Sequence, residues 1–269
     1  MADPIPIRVV DAFTAAPYAG NPAAVCRLAA WPADGRLAEI AREMNLSETA
    51  FLVATDGAAH ELRWFTPAVE VLLCGHATLA SAHVLWEDGL LPVDAVARFR
   101  TRRSGDLTAR REPDGTIELD LPLDPVERID PPPGLLAALG ASPVAVARAA
   151  GGNLLVELAS AEAVRLLAPD LGWLATGVED GVIVTAASDD PRFAVVSRYF
   201  APRVGIAEDP VTGSAHCALA PWWVPRLGTA TFAAYQASAR GGVLRVTLRG
   251  DRVGVAGRAV TVLRGELVA

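Results

Sequence analysis

The sequence predicts an α+β protein: two pseudo-symmetric domains, each a small curved sheet wrapped about its own helix. Two observations carry this. Strand-like segments outnumber helical ones, and most are joined by tight turns that suit antiparallel neighbours. The chain also repeats itself. Arg63-Trp64-Phe65-Thr66-Pro67-Ala68-Val69, followed by Cys74-Gly75-His76-Ala77, is echoed by Arg198-Tyr199-Phe200-Ala201-Pro202-Arg203-Val204, followed by Thr212-Gly213-Ser214-Ala215. The front of the second copy lies 135 residues after the first (Arg63 to Arg198) and the back 138 (Cys74 to Thr212), so three extra residues precede the second Gly. An offset of half the chain means a duplicated domain, since solenoid repeats recur every ~20–50 residues. The predicted domains are residues 1–121 and 122–269, with the last ~10 residues free to pack with the first.

Composition narrows the function classes. The 269 residues are 52% hydrophobic, which suits an adequate core and excludes a disordered chain. No apolar run approaches a membrane span, and the Met1–Pro6 start predicts no secretory leader. Three cysteines in a chain that needs no disulfide fit a reducing cytoplasm. A net charge of −7 argues against nucleic acid or an acidic membrane as partner. All 24 basic residues are Arg, so Schiff-base chemistry and a Lys-dependent phosphate loop are excluded.

In chain order, Ile7–Ala12 and Ala23–Leu28 read as strands around the turn-rich loop Pro17–Pro22, taken as a plain hairpin connection. Asp34 is expected to cap a helix through Asn45, with Leu37, Ile40, Ala41 and Met44 on one face. Glu48 then falls between that helix and the strand Ala50–Val53. A carboxyl walled by apolar residues has a raised pKa and exchanges protons near neutrality, which makes Glu48 a candidate acid/base. Leu62–Phe65 is a strand, and Cys74–Leu85 an Ala-rich helix with His76 in its first turn. His83, two turns on, is expected to be a core or interface histidine. From Ala95 to Leu121 a three-stranded meander carries Arg100, Arg102, Arg103, Arg110 and Arg111 on a solvated face.

Pro122–Pro143, with Asp130-Pro131-Pro132-Pro133, is the expected boundary, opening the short helix Gly134–Leu139. Strands are expected over Val144–Ala150, Asn153–Leu158, Gly181–Ala186, Arg192–Phe200, Gly242–Leu248, Arg252–Ala256 and Ala259–Leu267. Ser160 is expected to cap a helix over Ala163–Leu167. The helix opening at Gly213 runs toward Pro221.

Both copies of the repeat share one layout: a strand, a turn at Pro, then a small residue and Gly opening a helix. A helix N-terminus presents N–H groups without intrahelical partners and a partial positive charge, so it receives anions. Two such openings predict a site for a carboxylate or enolate-like anion. No HExxH or CxxC spacing, Gly-rich dinucleotide loop or Lys is present, so no metal site and no cofactor is expected.

Four blocks carry a resemblance: Asp11-Ala12-Phe13-Thr14 with Pro17–Pro22; Asn45-Leu46-Ser47-Glu48-Thr49-Ala50-Phe51; Phe65-Thr66-Pro67 with Gly75-His76-Ala77-Thr78; and Phe200-Ala201-Pro202 with Glu208–Ala215. In this order they resemble the PhzF-like family, named for a phenazine-biosynthesis isomerase and related to diaminopimelate epimerase. The resemblance implies two β-barrels, each around a central helix, with the active site in the cleft. It also implies a cofactor-free isomerase, a homodimer, acting on a small carboxylate-bearing substrate. Residue by residue, it places the acid/base glutamate on Glu48, the histidine on His76 and the aspartate on Asp209. The glycines of the two helix openings fall on Gly75 and Gly213, and the neighbouring serine on Ser214. Asp209 is read as belonging to the three-residue insertion.

One departure matters. The related epimerases use two cysteines, one before each helix; here the positions hold Cys74 and Thr212, and a Thr hydroxyl is too weak an acid. Cys217 lies five residues further on, inside the helix. One-carboxylate isomerisation at Glu48 is therefore the expected chemistry. An amino-acid epimerase or racemase, or a silent binding protein of the same fold, are the alternatives.

Overall fold

The computed structural model describes residues 4–55, 57 and 59–268. It divides into two compact units, Met1–Leu121 with Ala256–Ala269, and Pro122–Val255. The first holds β1 (Ile5–Ala12), β2 (Asn21–Leu28), α1 (Asp34–Met44), β3 (Glu48–Ala54), β4 (Ala59–Phe65), β5 (Glu70–Val71), α2 (Gly75–Glu87), β6 (Ala97–Thr101), β7 (Asp106–Arg111) and β8 (Ile117–Pro122). The second runs β9 (Val126–Ile129), α3 (Leu135–Leu139), β10 (Ala145–Ala149), β11 (Leu154–Glu157), α4 (Ala161–Leu166), α5 (Leu171–Gly177), β12 (Val182–Ala187), β13 (Val195–Ala201), β14 (Ile206–Asp209), α6 (Ala215–Leu227), β15 (Thr231–Gln236), β16 (Gly242–Arg249) and β17 (Arg252–Gly257). The final strand, β18 (Ala259–Leu267), returns to the first unit and pairs along β1.

The units repeat one wiring. In the first, β18–β1–β2 is antiparallel, β2–β3 parallel, β3–β4 antiparallel, β4–β6 parallel, and β6–β7–β8 antiparallel. In the second, β9–β10–β11 is antiparallel, β11–β12 parallel, β12–β13 antiparallel, β13–β15 parallel and β15–β16 antiparallel. Each parallel pair spans a helical crossover, as parallel strands require. The sequence suggested mostly antiparallel neighbours with one internal helix per half, and antiparallel pairs do predominate; each parallel step carries at least one helix.

Each sheet curves around one helix. In α2 nearly every residue is buried, and the helix packs on β1, β2, β3 and β18. Its Ala and Ser residues allow close approach on all sides, and Ser81 returns its hydroxyl to the Ala77 carbonyl (2.7 Å) rather than leaving it orphaned. The amphipathic α1 covers the other face, placing Leu37, Ile40 and Ala41 against Ala24, Cys26 and Phe51. Strand parity follows: Phe51 faces α1, so Glu48, Ala50 and Leu52 face α2. The same parity on β2 turns Ala24 and Cys26 to α1 and Asn21, Ala23 and Val25 to α2.

Three local expectations are revised. The α1 N-cap is Ala33 without a side-chain bond, and Asp34 instead accepts from Arg63 Nη1 (2.8 Å). The helix after Gly213 does not end at Pro221 but continues to Leu227. Pro221 lacks the N–H that would reach the Cys217 carbonyl, and Asp124 N–H takes that carbonyl instead (3.4 Å). The helix α5, absent from the sequence reading, is capped by Asp170, which accepts from Trp173 N–H (3.0 Å). His83 lies half-buried in α2, its Nε2 3.1 Å from Thr261 of β18. Among the described residues no helix is long and apolar enough to cross a membrane.

Candidate active site

Glu48 opens β3, and the connection from α1 fixes where that strand begins. Asn45, in the left-handed conformation (φ 49°), closes α1 through its N–H to Ala41. Three residues later Glu48 pairs beside Ala23 of β2 with its side chain turned toward α2. His76, the second residue of α2, meets it there: Nε2 lies 3.4 Å from Glu48 Oε2. Both side chains are buried, Glu48 at 8% exposure and His76 at 2%.

The other imidazole nitrogen fixes the protonation. His76 Nδ1 receives the Asn21 amide at 3.0 Å and lies 3.4 Å from Cys74 Sγ. Both neighbours bring a proton to Nδ1, so Nδ1 accepts and the ring's own proton sits on Nε2, facing Glu48. Burial pushes the His76 pKa down to about 3, so the ring is neutral across the physiological range. A neutral Nε2–H beside a carboxylate can orient the carboxylate or pass a proton; it supplies no fixed positive charge.

Asn21 is one site residue that sequence reasoning missed. It ends the Pro17–Pro22 loop taken as a plain connection. That loop is held by Asp11 Oδ2, which accepts from Tyr18 N–H (2.7 Å), and it turns at Gly20 with φ 63°. Its one signal in the sequence was a polar residue at a strand position that the β2 parity buries against α2.

The second unit presents a different set. Asp209 ends β14, buried at 4% exposure, and its Oδ2 accepts from the Thr212 hydroxyl. Gln236, fully buried at the end of β15, fixes this arrangement. Its Oε1 accepts from Thr212 N–H (2.8 Å), so Nε2 donates to the Asp209 carbonyl (2.8 Å) and to Thr212 Oγ1 (3.1 Å). A hydroxyl that accepts from Gln236 has its own proton for Asp209, which is held as an acceptor. Gly213 and Ser214 lead into α6, with Ser214 as its N-cap residue. His216, fully buried, donates Nδ1–H to the Thr212 carbonyl (2.8 Å), and burial lowers its pKa to about 4.

The register relocates the three-residue insertion. Arg63 grips Glu70, seven residues on, through Nε and Nη2 (2.7 and 2.8 Å); Arg198 grips Glu208, ten residues on, at the same two distances. Trp64 pairs with Val71 and Tyr199 with Asp209. Glu70 and Glu208 are therefore counterparts, and so are Val71 and Asp209. The extra residues are Gly205, at the turn that follows Pro202–Val204, and Ile206-Ala207, which open β14. Asp209 is not an inserted acid; it stands where the first copy has a valine.

A recess of about 370 Å³ between Trp31, Arg63, Arg100 and Arg102 contains none of the predicted site residues. Arg63 there is spoken for by Glu70 and Asp34, and the Arg side chains of β6 alternate outward with buried Ala97 and Phe99.

Comparison with known proteins gives the family. The family model described as phenazine biosynthesis-like protein matches residues 10–265. A Pseudomonas aeruginosa protein named an uncharacterized isomerase is 50% identical over 258 residues, covering 96% of both chains. A crystal structure of an Enterococcus faecalis phenazine biosynthesis protein of the PhzF family superposes with a TM-score of 0.91 at 40% identity, covering 99% of this chain and 100% of that one. A probable proline racemase from Agrobacterium radiobacter shares the fold at 14% identity, with a TM-score of 0.67 and coverage of 98% and 93%. Sharing half its residues along almost its whole length with a protein named an isomerase, the chain belongs to the phenazine biosynthesis-like family and is an enzyme of that isomerase-like class.

Proposed function

We propose that the protein is a cofactor-independent isomerase that moves a proton or double bond in a small carboxylate-bearing substrate, with Glu48 as general acid/base. The observation that supports this most is the buried contact of Glu48 with the Nε2 of a neutral, tautomer-fixed His76. Glu48 would take a proton from the substrate carbon and return it at another, while His76 Nε2–H holds the carboxylate in position or relays the proton. The 3.4 Å separation is long for a hydrogen bond, as catalytic contacts are before substrate tightens them. The N–H groups at Gly75 would receive the substrate carboxylate or the developing anion. For the second unit we propose an anion-receiving opening at Gly213 and Ser214, with Asp209 as an orienting or relaying group.

The two-thiol epimerase is the competing chemistry. Cys74 is present, but its counterpart Thr212 is an alcohol whose proton is committed to Asp209. Replacing Cys74 with Ser keeps a hydrogen-bond donor toward His76, so substantial turnover is expected to remain; a two-thiol enzyme would lose it.

The deciding experiment starts from a metabolite screen by thermal shift on the wild-type protein. With the ligand in hand, Glu48→Gln keeps shape and hydrogen bonding but removes the transferable proton. Binding is expected to persist while turnover falls by roughly 10²–10⁴. Near-normal turnover would remove Glu48 from the mechanism. Asp209→Asn and Ser214→Ala, assayed alongside, decide whether the second unit's groups take part.

A further inference from the structure

We propose that Glu48, Cys74 and His76, completed by the amide oxygen of Asn21, form a zinc-binding site whose occupation blocks turnover. One ligand atom from each of Glu48, Cys74 and His76 lies within 4.8 Å of the other two, and all three residues are buried. Thiolate, imidazole and carboxylate together are a donor set suited to Zn²⁺ rather than to Mg²⁺ or Ca²⁺. No sequence spacing announces it, because Glu48 comes from the start of a strand while Cys74 and His76 flank a helix opening. The proposal departs from the sequence expectation of no metal site.

Two of the four ligand atoms already stand at the spacing the ion needs. With Zn–S about 2.3 Å and Zn–N about 2.0 Å, neighbouring ligand atoms of a tetrahedral site stand about 3.5 Å apart. Cys74 Sγ and His76 Nδ1 are 3.4 Å apart. Nδ1 is the acceptor nitrogen, so it offers its lone pair without a change of tautomer. The Asn21 amide lies 3.0 Å from the same nitrogen. A half-turn about its last torsion replaces that NH₂ with the carbonyl oxygen, a fourth ligand. Glu48 closes the set with a shift of its carboxylate. On binding, the Cys74 thiol releases its proton to solvent and coordinates as thiolate. One thiolate and one carboxylate then balance the two positive charges, which suits a buried site.

Blocking rests on the isomerase reading: a carboxylate coordinated to Zn²⁺ gives up charge to the ion, becomes a far weaker base, and is held away from a substrate proton. The ion would act as an inhibitor, so the expectation of metal-independent turnover is unchanged.

The test uses the full chain after chelator treatment, titrated with Co²⁺ followed optically and then with Zn²⁺ in competition. One equivalent is expected, with a sulfur-to-cobalt charge-transfer band in the near ultraviolet. Cys74→Ser is expected to abolish the band, and both Cys74→Ser and His76→Gln to weaken Zn²⁺ binding at least about tenfold. Cys26→Ser and Cys217→Ser are expected to retain it, with circular dichroism confirming that all four variants fold. A missing band in the wild type, or one that survives Cys74→Ser, overturns the site. Because binding is read without substrate, that failure leaves the role of Glu48 in turnover untouched. Stoichiometric binding that leaves turnover intact overturns the blocking.

Discussion

Gln236 shows how one buried side chain sets the chemistry of a neighbour. It makes three hydrogen bonds to Asp209 and Thr212 from a position with no exposure. Gln236→Ala removes all three and leaves Thr212 N–H and the Asp209 carbonyl to find new partners in the interior. A loss of about 2–4 kcal/mol is expected, read as a lower midpoint in urea with an unchanged slope. An unaltered midpoint would mean that water or a repacked neighbour replaces Gln236. Its role was not legible in the sequence, since Gln236 sits 27 residues after Asp209 and meets it only through the parallel pairing of β13 with β15. Asn21 escaped for the same reason, its partner lying 55 residues away. The burial of Glu48 at the start of a strand was legible because its setting is local: an apolar helix, a left-handed Asn and an apolar strand within a few residues.

At the scale of elements, the duplicated motif was readable because Arg, Phe and Pro keep one spacing in both copies. Each Arg lies over the Phe two residues on, at 5.0 Å for Arg63 and 4.8 Å for Arg198. The third hand of each guanidinium has diverged: Arg63 reaches Asp34 at the start of α1, whereas Arg198 reaches the closing carbonyls of α4, at 2.6 Å for Leu167. The insertion was misplaced because counting back from the Gly cannot see which glutamate the Arg grips. The β1–β2 loop gives a direct test of how elements position the site. A Cβ on Gly20 would stand 2.2 Å from the Ala12 carbonyl, at φ +63°. A Cβ on Gly250, at φ +61°, meets nothing within 4 Å. Gly250→Ala is expected to cost about 1 kcal/mol from the left-handed backbone alone. Gly20→Ala is expected to cost clearly more and to displace Asn21, seen as a larger drop in melting temperature and a changed His76 ring resonance. Equal losses in the two variants would show that the loop yields without moving the strand.

The whole molecule carries the mark of its two buried rings in its response to acid. His76 and His216 have pKa values lowered by burial to about 3 and about 4, from 6.5 for an open histidine. Both are neutral when folded, so below about pH 6.5 the unfolded chain binds more protons and stability falls with pH. The loss proceeds between 6.5 and about 4 for His216, and on to about 3 for His76. Each ring contributes a slope of about 1.4 kcal/mol per pH unit inside its window, so acid reaches stability before most carboxylates protonate. Carboxylates held low by arginines, such as Asp34 and Glu70 beside Arg63, act in the same direction below their unfolded values of 3.8 and 4.5. Asp124 and Asp180, raised by burial, act in the opposite direction from above those values. The stretch from pH 6.5 to 5 therefore belongs mainly to the histidines. A steep fall in melting temperature is expected there, softened in His216→Asn, whose amide can still donate to the Thr212 carbonyl but does not titrate. A wild-type profile flat from pH 7 to 5 would mean that the rings take up protons in the folded state. The Nε2–H tautomer of His76, on which the acid/base reading rests, would then have to be given up as well.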